Sequence, residues 1–198
     1  MNDTRDRLVN VSAKLFGRQG LTGTGIKQVL VEAQAPFSSL YHHFPGGKTE
    51  LAATVIRTSG ARYQELVESV WDEVPDVIGA VAAVFDGAAM TLEATDFAVA
   101  CPIATVALEV ASTNEELRLA TAQVFEAWTE SGTRRLAAAG IDGNDARALA
   151  LVIISLLEGA FILCQSAKST EPMFAARTAA VEIVKRAVRS NVCFDMQT

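Results

Sequence analysis

The amino-acid sequence predicts an all-α protein, with about nine helices arranged as a three-helix head and a helical body. Apolar residues recur at spacings of three and four, and no segment shows the strict alternation of a half-buried strand. Short Gly-, Pro- and Asn-containing breakers separate these periodic segments. Half of the 198 residues are apolar and the mean hydropathy is +0.25, enough for an extensive core or for an apolar face used in self-association.

Three short helices at the N-terminus form the predicted head. Gly20 is expected to end the first helix, and Thr24 to cap the second. Pro36 suits the first turn of the third helix, which has only two turns and therefore needs Leu40 and Phe44 to anchor it inward. A tight turn between the second and third helices gives a helix-turn-helix arrangement. The head helices and the long fourth helix are predicted at about 4–18, 25–33, 36–43 and 48–71.

The body follows without a flexible linker, and the fourth helix bridges it to the head. Gly60 lies inside that helix and is expected to mark a bend or a close helix contact. We place the boundary between head and body after residue 64, so that the domains are 1–64 and 65–198. The five body helices are predicted at about 75–95, 103–112, 114–139, 144–167 and 171–190.

Charge is distributed unevenly between these two parts. Residues 1–64 carry eight basic and four acidic residues, a net +4, whereas residues 65–198 carry nine basic and nineteen acidic residues, a net −10. A basic head on an acidic body favours local binding of a polyanion, although the whole chain has a net charge of −6.

The sequence also indicates the cellular compartment in which the protein is located. Three widely spaced cysteines without a CxxC pair fit a reduced cytoplasm, where Cys101, Cys164 and Cys193 would act as small buried hydrophobes. No uninterrupted apolar run approaches eighteen residues, and the first residues, MNDTRDRL, are charged. We therefore expect neither secretion nor a membrane span, and we predict a cytoplasmic protein.

The stretch FSSLYHHFPGGKTEL, residues 37–51, contains the most distinctive chemistry. A phosphate-binding loop of the pattern G-x-x-x-x-G-K-[ST] would need glycine where His42 stands, and no strand precedes it. A metal site is disfavoured because the adjacent His42 and His43 point about 100° apart on a helix and lack further ligands nearby. Nucleophilic catalysis lacks an acidic partner before Glu50. A short polar helix that contacts DNA explains more of these residues at once.

The first sixty residues resemble the DNA-binding region of TetR-family transcriptional regulators. The family pattern has a first helix ending A-x-x-L-F-x-x-x-G, a Thr opening the second helix, a short third helix ending L-Y-x-x-F-P, and a Lys opening the fourth. The double Gly and CPIATVALEVAS, residues 101–112, look like the subgroup of LmrA- and YxaF-like repressors. The matching residues are Ala13, Leu15, Phe16, Gly20, Thr24, Leu40, Tyr41, Phe44, Pro45 and Lys48.

This resemblance implies that 1–64 is a DNA-binding domain whose recognition helix spans about 36–43. Two residues depart from the family pattern: Gln34 replaces the usual Gly of the turn, and Phe37 stands where a polar residue is common. The residues expected to contact DNA are Thr24, Lys27, Phe37, Ser38, Ser39, Tyr41, His42 and Lys48.

The resemblance also implies a homodimer formed by the last two helices, which would present two heads to a pseudo-palindromic operator. The body would bind a small, mostly apolar effector that releases the repressor from DNA, without a metal or other cofactor. Apolar pockets between helices are typically lined by aromatic and sulfur-bearing side chains. The residues expected to line the effector site are Phe85, Met90, Phe97, Cys101, Phe125, Trp128, Glu158 and Phe161.

The sequence allows alternatives both for the position of Glu158 and for the function of the chain. Glu158 lies in an otherwise apolar helix, so it either pairs with Arg147 or Arg177 across the dimer or faces the effector. The chain itself could be an adaptor that has lost DNA binding, or a small helical enzyme or ligand carrier. The body contains no histidine and no recognisable catalytic constellation, which argues against an enzyme.

Overall fold

The computed structural model describes residues 4–99 and 101–195. These residues form nine α-helices and no strand, which confirms the predicted fold class. Most boundaries agree with the predicted ones to within two residues, and the last helix is longer than predicted. The helices are α1 Thr4–Gln19, α2 Ile26–Glu32, α3 Phe37–His43, α4 Gly47–Asp72, α5 Val77–Ala94, α6 Pro102–Val110, α7 Glu115–Ala138, α8 Gly143–Ala167 and α9 Glu171–Asp195.

Two predicted helix starts need correction. The N-cap of α2 is Gly25 and not Thr24, because the Thr24 hydroxyl donates instead to the Gly20 carbonyl, at 2.6 Å. Pro36 is the N-cap of α3 in an extended conformation, one position before the first turn in which it was expected. Asp76 caps α5 through its carboxylate, which accepts the Gly79 N–H at 2.8 Å.

The helices pack into two compact units. The first unit contains α1, α2, α3, the start of α4, α6 and the start of α7, over residues up to 62 and 99–124. The close helix contact expected at Gly60 lies here: a Cβ at that position would approach Val124 Cγ1 to 2.5 Å. The largest fully buried side chains of this unit are Leu8, Phe16, Leu40, Phe44, Leu51, Ile56, Ile103 and Leu117.

The second unit contains the rest of α4 and α7 together with α5, α8 and α9. Helix α9 packs against both α5 and α8 through a stripe at helical spacing that comprises Met173, Ala176, Ala180 and Val184. Small residues on this stripe allow the helices to approach closely. The largest side chains of the core they complete are Phe85, Leu92, Leu136, Ile141, Leu149 and Met173.

The predicted boundary after residue 64 stays a prediction, since packing does not by itself define which part of the chain binds DNA. The structure adds that α6 and the start of α7 pack with the N-terminal helices, although they are distant from them in sequence.

Candidate nucleic-acid interface

Helix α3 presents a polar surface because two apolar anchors fix its orientation. Leu40 is fully buried, and Phe44, the C-cap residue, is almost so. Their burial confirms the predicted inward pair and turns the opposite side of the helix outward. Ser38, Tyr41 and His42 are exposed there, while Ser39 is half-buried.

Phe37 lies on this outward surface and not in the core. Its side chain is 66% exposed, and its ring centroid lies 6.0 Å from that of Tyr41, one helical turn later. The Tyr41 ring in turn lies over the start of α4, where Gly47 offers no side chain: a Cβ there would be 3.6 Å from Tyr41 Cε1. Phe37 and Tyr41 therefore form a tilted aromatic pair on the exposed face of α3.

The turn before α3 retains a left-handed residue although the glycine is replaced. Gln34 has a φ of +50°. The Gln34 N–H donates to Val31 O at 3.1 Å, and the Ala35 N–H donates to Leu30 O at 2.9 Å. These two bonds form a Schellman motif that ends α2, so the turn is not reshaped and Gln34 carries the strain of a left-handed side chain.

The start of α4 is a weaker anion site than its N-terminal position suggests. The Gly46 N–H donates to the Glu50 carboxylate at 2.7 Å, and the Gly47 N–H donates to the Phe44 carbonyl at 2.8 Å. Both donors are thus already bound within the chain. A phosphate at this helix start would therefore have to be bound chiefly by side chains, and the half-buried Lys48 stays the predicted one.

The remaining predicted DNA contacts differ in accessibility. Lys27 is exposed on α2. The Thr24 side chain is fully buried, and its hydroxyl donates to Gly20 O. Contrary to the prediction, it is therefore not available to a phosphate. The His42 and His43 rings meet edge to face at 4.8 Å. The described residues hold no group of three His, Cys, Asp or Glu side chains placed to bind a metal.

A carboxylate on α6 holds the loop between α1 and α2, a contact that sequence inspection missed. The Glu109 oxygens accept the Leu21 N–H at 2.9 Å and the Thr22 N–H at 2.7 Å. Burial alone raises the pKa of Glu109, but the hydrogen bonds from Thr22 and Leu21 and the charge of Lys48 outweigh it and leave the pKa lowered. A Cβ at Gly20 would lie 1.9 Å from Glu109 Oε1, so this contact requires glycine.

The residues predicted to bind an effector do not form a single group. Phe85 is fully buried in the core of the second unit, with Phe97 and Phe161 packed against that core. Met90 is exposed. Cys101 belongs to the first unit, where its sulfur caps α6 by accepting the Ala104 N–H at 3.5 Å.

Phe125 and Trp128 form a separate aromatic cluster in the second unit. Their ring centroids lie 5.5 Å apart, edge to face, and Tyr63 adds a third ring 6.4 Å from Trp128. All three are half-buried. Tyr63 was absent from the predicted set because it lies on α4, which sequence reasoning treated only as a bridge.

The arginines proposed as partners of Glu158 have carboxylates within the same chain. Arg147 pairs with Glu126, and Arg177 pairs with Asp86, each at 2.9 Å. Glu158 itself is half-buried, with its Oε2 shielded from solvent. The pairing of Glu158 across a dimer and its contact with an effector both stay predictions.

Helix α8 has a long apolar segment that the rest of the described chain leaves largely uncovered. Helices α5 and α8 are long and apolar enough, by length and composition alone, to cross a membrane, although neither contains the uninterrupted run sought in the sequence. The most apolar window of α8 has a mean hydropathy of 2.2, yet only 22% of it is buried within the chain. The exposed apolar side chains of α8 and α9 are Leu151, Val152, Ile162, Leu163, Phe174 and Ile183.

Comparison with known proteins identifies both parts of the chain. Residues 8–55 match the model of the tetR family of bacterial regulatory proteins, and residues 77–179 match the C-terminal domain of LmrA/YxaF-like transcriptional regulators. The HTH-type transcriptional regulator YxaF of Bacillus subtilis, described as uncharacterized, is 31% identical over 86% of this chain and 90% of its own length. LmrA of the same organism is 26% identical over 93% of this chain and 98% of its own.

Solved structures share the fold. The crystal structure of a TetR transcriptional regulator from Legionella pneumophila superposes with a TM-score of 0.82 over 92% of this chain and 97% of its own. Its sequence is only 21% identical, so this likeness concerns the fold alone.

Proposed function

The chain belongs to the TetR family of bacterial transcriptional regulators, in the LmrA/YxaF-like branch, and we propose that it is a homodimeric repressor released from its operator by a small, mostly apolar effector. It would act in the bacterial cytoplasm, where operator DNA is accessible. DNA binding needs neither a metal nor another cofactor in this proposal, and no catalytic step is involved.

The surface of α3 carries this proposal. Buried Leu40 and Phe44 hold the helix so that its hydroxyls, its aromatic pair and His42 point outward. A helix in this position of a helix-turn-helix enters the major groove, where such side chains reach base edges. Lys48 and Tyr41 would contact the flanking phosphates, and Lys27 would contact the backbone on the other side.

A single head offers too few phosphate contacts for tight binding, so the proposal includes a dimer. The uncovered apolar side chains of α8 and α9 supply its interface. Gly159 lies among them, and a Cβ added there meets nothing within 4 Å, which leaves room for a second helix. Two heads about 34 Å apart would then engage successive major grooves of a pseudo-palindrome.

Release by an effector requires that it bind the non-binding conformer more tightly than the DNA-binding one. A coupling of roughly 1–3 kcal/mol would weaken operator binding about 5- to 150-fold. The aromatic cluster of Tyr63, Phe125 and Trp128 is the best-supported starting point for the effector site, since the three rings are only partly covered by the chain.

A mobility-shift titration on the intergenic DNA upstream of its own gene tests the proposal. We expect a shift that needs no cofactor, weakens steeply with salt, and disappears when Tyr41→Ala and Lys48→Ala are combined. Arg134→Ala is the matched control, because Arg134 is an exposed cation of α7 in the second unit. Absence of a shift on every fragment of that region would instead favour the adaptor that has lost DNA binding.

A further inference from the structure

Phe37 lies on the surface of the chain and is not part of its core. It is the first residue of α3, it is 66% exposed, and the core that anchors α3 is complete without it. Among the described residues of α1, α2 and α3, the only other large exposed apolar side chains are Val31 on α2 and Tyr41, the ring partner of Phe37. An aromatic ring that is held by a neighbour yet open to solvent is available to a ligand.

The composition of α3 restricts how it can read DNA. Its seven residues, FSSLYHH, contain no Arg, Lys, Asn or Gln. Those are the side chains that make bidentate contacts with guanine or adenine in the major groove. The serines and His42 can each make single hydrogen bonds, which discriminate bases less strongly. An apolar contact is therefore a further means by which this helix can distinguish bases.

The major groove displays one apolar group, the C5-methyl of thymine. We propose that Phe37 reads a thymine methyl group in each half-site of the operator. This inference rests on the proposed function and specifies its base preference. The Tyr41 ring lies beside the Phe37 ring, with 6.0 Å between the two ring centroids.

The test compares thymine with uracil, which differ only by this methyl group. Duplexes are first selected from a synthetic random-sequence library with the wild-type dimer. Each thymine of the preferred duplex is then replaced singly by deoxyuridine, and dissociation constants are measured by fluorescence anisotropy. We expect one thymine in each half-site at which the replacement weakens binding about fourfold, the effect of exposing one methyl-sized group. Replacing both should weaken binding about sixteenfold.

Variants assign that effect to Phe37. In Phe37→Ala the thymine and uracil duplexes should bind equally, whereas Phe37→Leu should retain part of the difference. Val31→Ala is the matched control, because Val31 is 68% exposed but lies on α2, and it should keep the full fourfold effect. Thermal melting of each variant checks that the head remains folded.

The outcomes separate this inference from the function on which it rests. Selection of a defined sequence by the wild-type protein, without a uracil-sensitive thymine, overturns the role of Phe37 and leaves the repressor intact. Sensitivity to uracil that persists in Phe37→Ala overturns it as well. Failure of the wild-type dimer to retain any duplex sequence rejects the proposed function itself, and the reading of thymine with it.

Discussion

The exposed surfaces of α3 and α8 differ in chemistry. On α3, the aromatic pair of Phe37 and Tyr41 lies among the exposed polar side chains of Ser38 and His42, so little of this surface is apolar. On α8, several branched aliphatic side chains are exposed along one helix, whose most apolar window has a mean hydropathy of 2.2. A hydrated surface suits a polyanion that keeps much of its water, whereas a continuous apolar surface suits a partner that excludes water.

Charge reinforces the same contrast. Residues 1–64 have a net charge of +4 and residues 65–198 have a net charge of −10. In the proposed complex the basic residues of 1–64 would attract DNA and the acidic residues of 65–198 would repel it, so we expect residues 1–64 to approach DNA first. We therefore expect the α8 surface to contact a second copy of the chain and not DNA.

The largest expected effect comes from placing a charge on the apolar surface of α8. Leu163 is 59% exposed, and Leu163→Glu would bury two unpaired carboxylates in a symmetric interface. We expect the dissociation constant of the dimer to rise more than about 100-fold. Sedimentation velocity across a concentration series measures this change, and DNA affinity should fall in parallel because each monomer offers one head.

Leu66→Glu is the control for that variant. Leu66 is 55% exposed on α4, outside the α8 surface, so its substitution should leave the dimer unchanged. A Leu163→Glu protein that sediments as a dimer at the same concentrations as wild type would show that the interface lies elsewhere.

A smaller effect is expected at the polar surface. Lys48→Ala should remove one phosphate contact from each head. The negative slope of log K against log salt should then become shallower by about 2 for the dimer. Affinity should fall to a similar extent for operator and random DNA, because phosphate contacts carry no base information. A loss confined to the operator would contradict a phosphate contact. Binding measured from 50 to 300 mM salt, roughly the range in which screening is informative, decides between them.

The structural features that could be predicted from the sequence depend on residues that are close together in the chain. The helices, the inward pair Leu40 and Phe44, and the unusual turn at Gln34 depend on residues within one or two turns of each other. The prediction that Thr24 caps α2 was wrong because another local hydrogen bond competes: its hydroxyl donates to Gly20 O, four residues earlier, and does not accept an N–H of α2.

The Glu109 contact could not be predicted in the same way. It joins residues 87 and 88 positions apart, and periodicity carries no information about such a pair. The predicted effector residues lie in separate groups for a related reason, and their role stays a prediction. Aromatic composition does not distinguish a packed ring such as Phe85 from a half-open one such as Trp128, since both are apolar residues on helices.

Glu109→Gln tests whether α6 helps to hold the polar surface in place. The amide keeps one acceptor but loses the charge, so we expect the free energy of unfolding to fall by about 1–2 kcal/mol at pH 7. The pKa of Glu109 is lowered in the folded chain from its ordinary value of 4.5. Its contribution is therefore complete above the unfolded pKa and disappears as pH falls through the folded one.

The difference between wild type and Glu109→Gln should thus be constant from about pH 6 to 8 and should shrink below pH 4.5. Urea denaturation at a series of pH values measures it. A difference that is independent of pH down to pH 3 would mean that the carboxylate charge is not what stabilises the Leu21–Thr22 loop.

The smallest expected effect is a gain in stability at the turn that sets the angle of α3. Gln34 adopts a φ of +50°, a conformation that costs a non-glycine residue roughly 1–2 kcal/mol. Gln34→Gly removes that strain but increases the freedom of the unfolded chain, so we expect a net gain of about 0.5–1 kcal/mol and a rise in melting temperature of roughly 1–4 °C. Gly25→Ala is a contrasting control, because Gly25 has a φ of −84° and gains nothing from glycine's freedom. If the Gln34 side chain also contacts DNA, Gln34→Gly should stabilise the protein and at the same time weaken operator binding. Measuring both quantities distinguishes the effect of the backbone strain from the effect of the lost side chain.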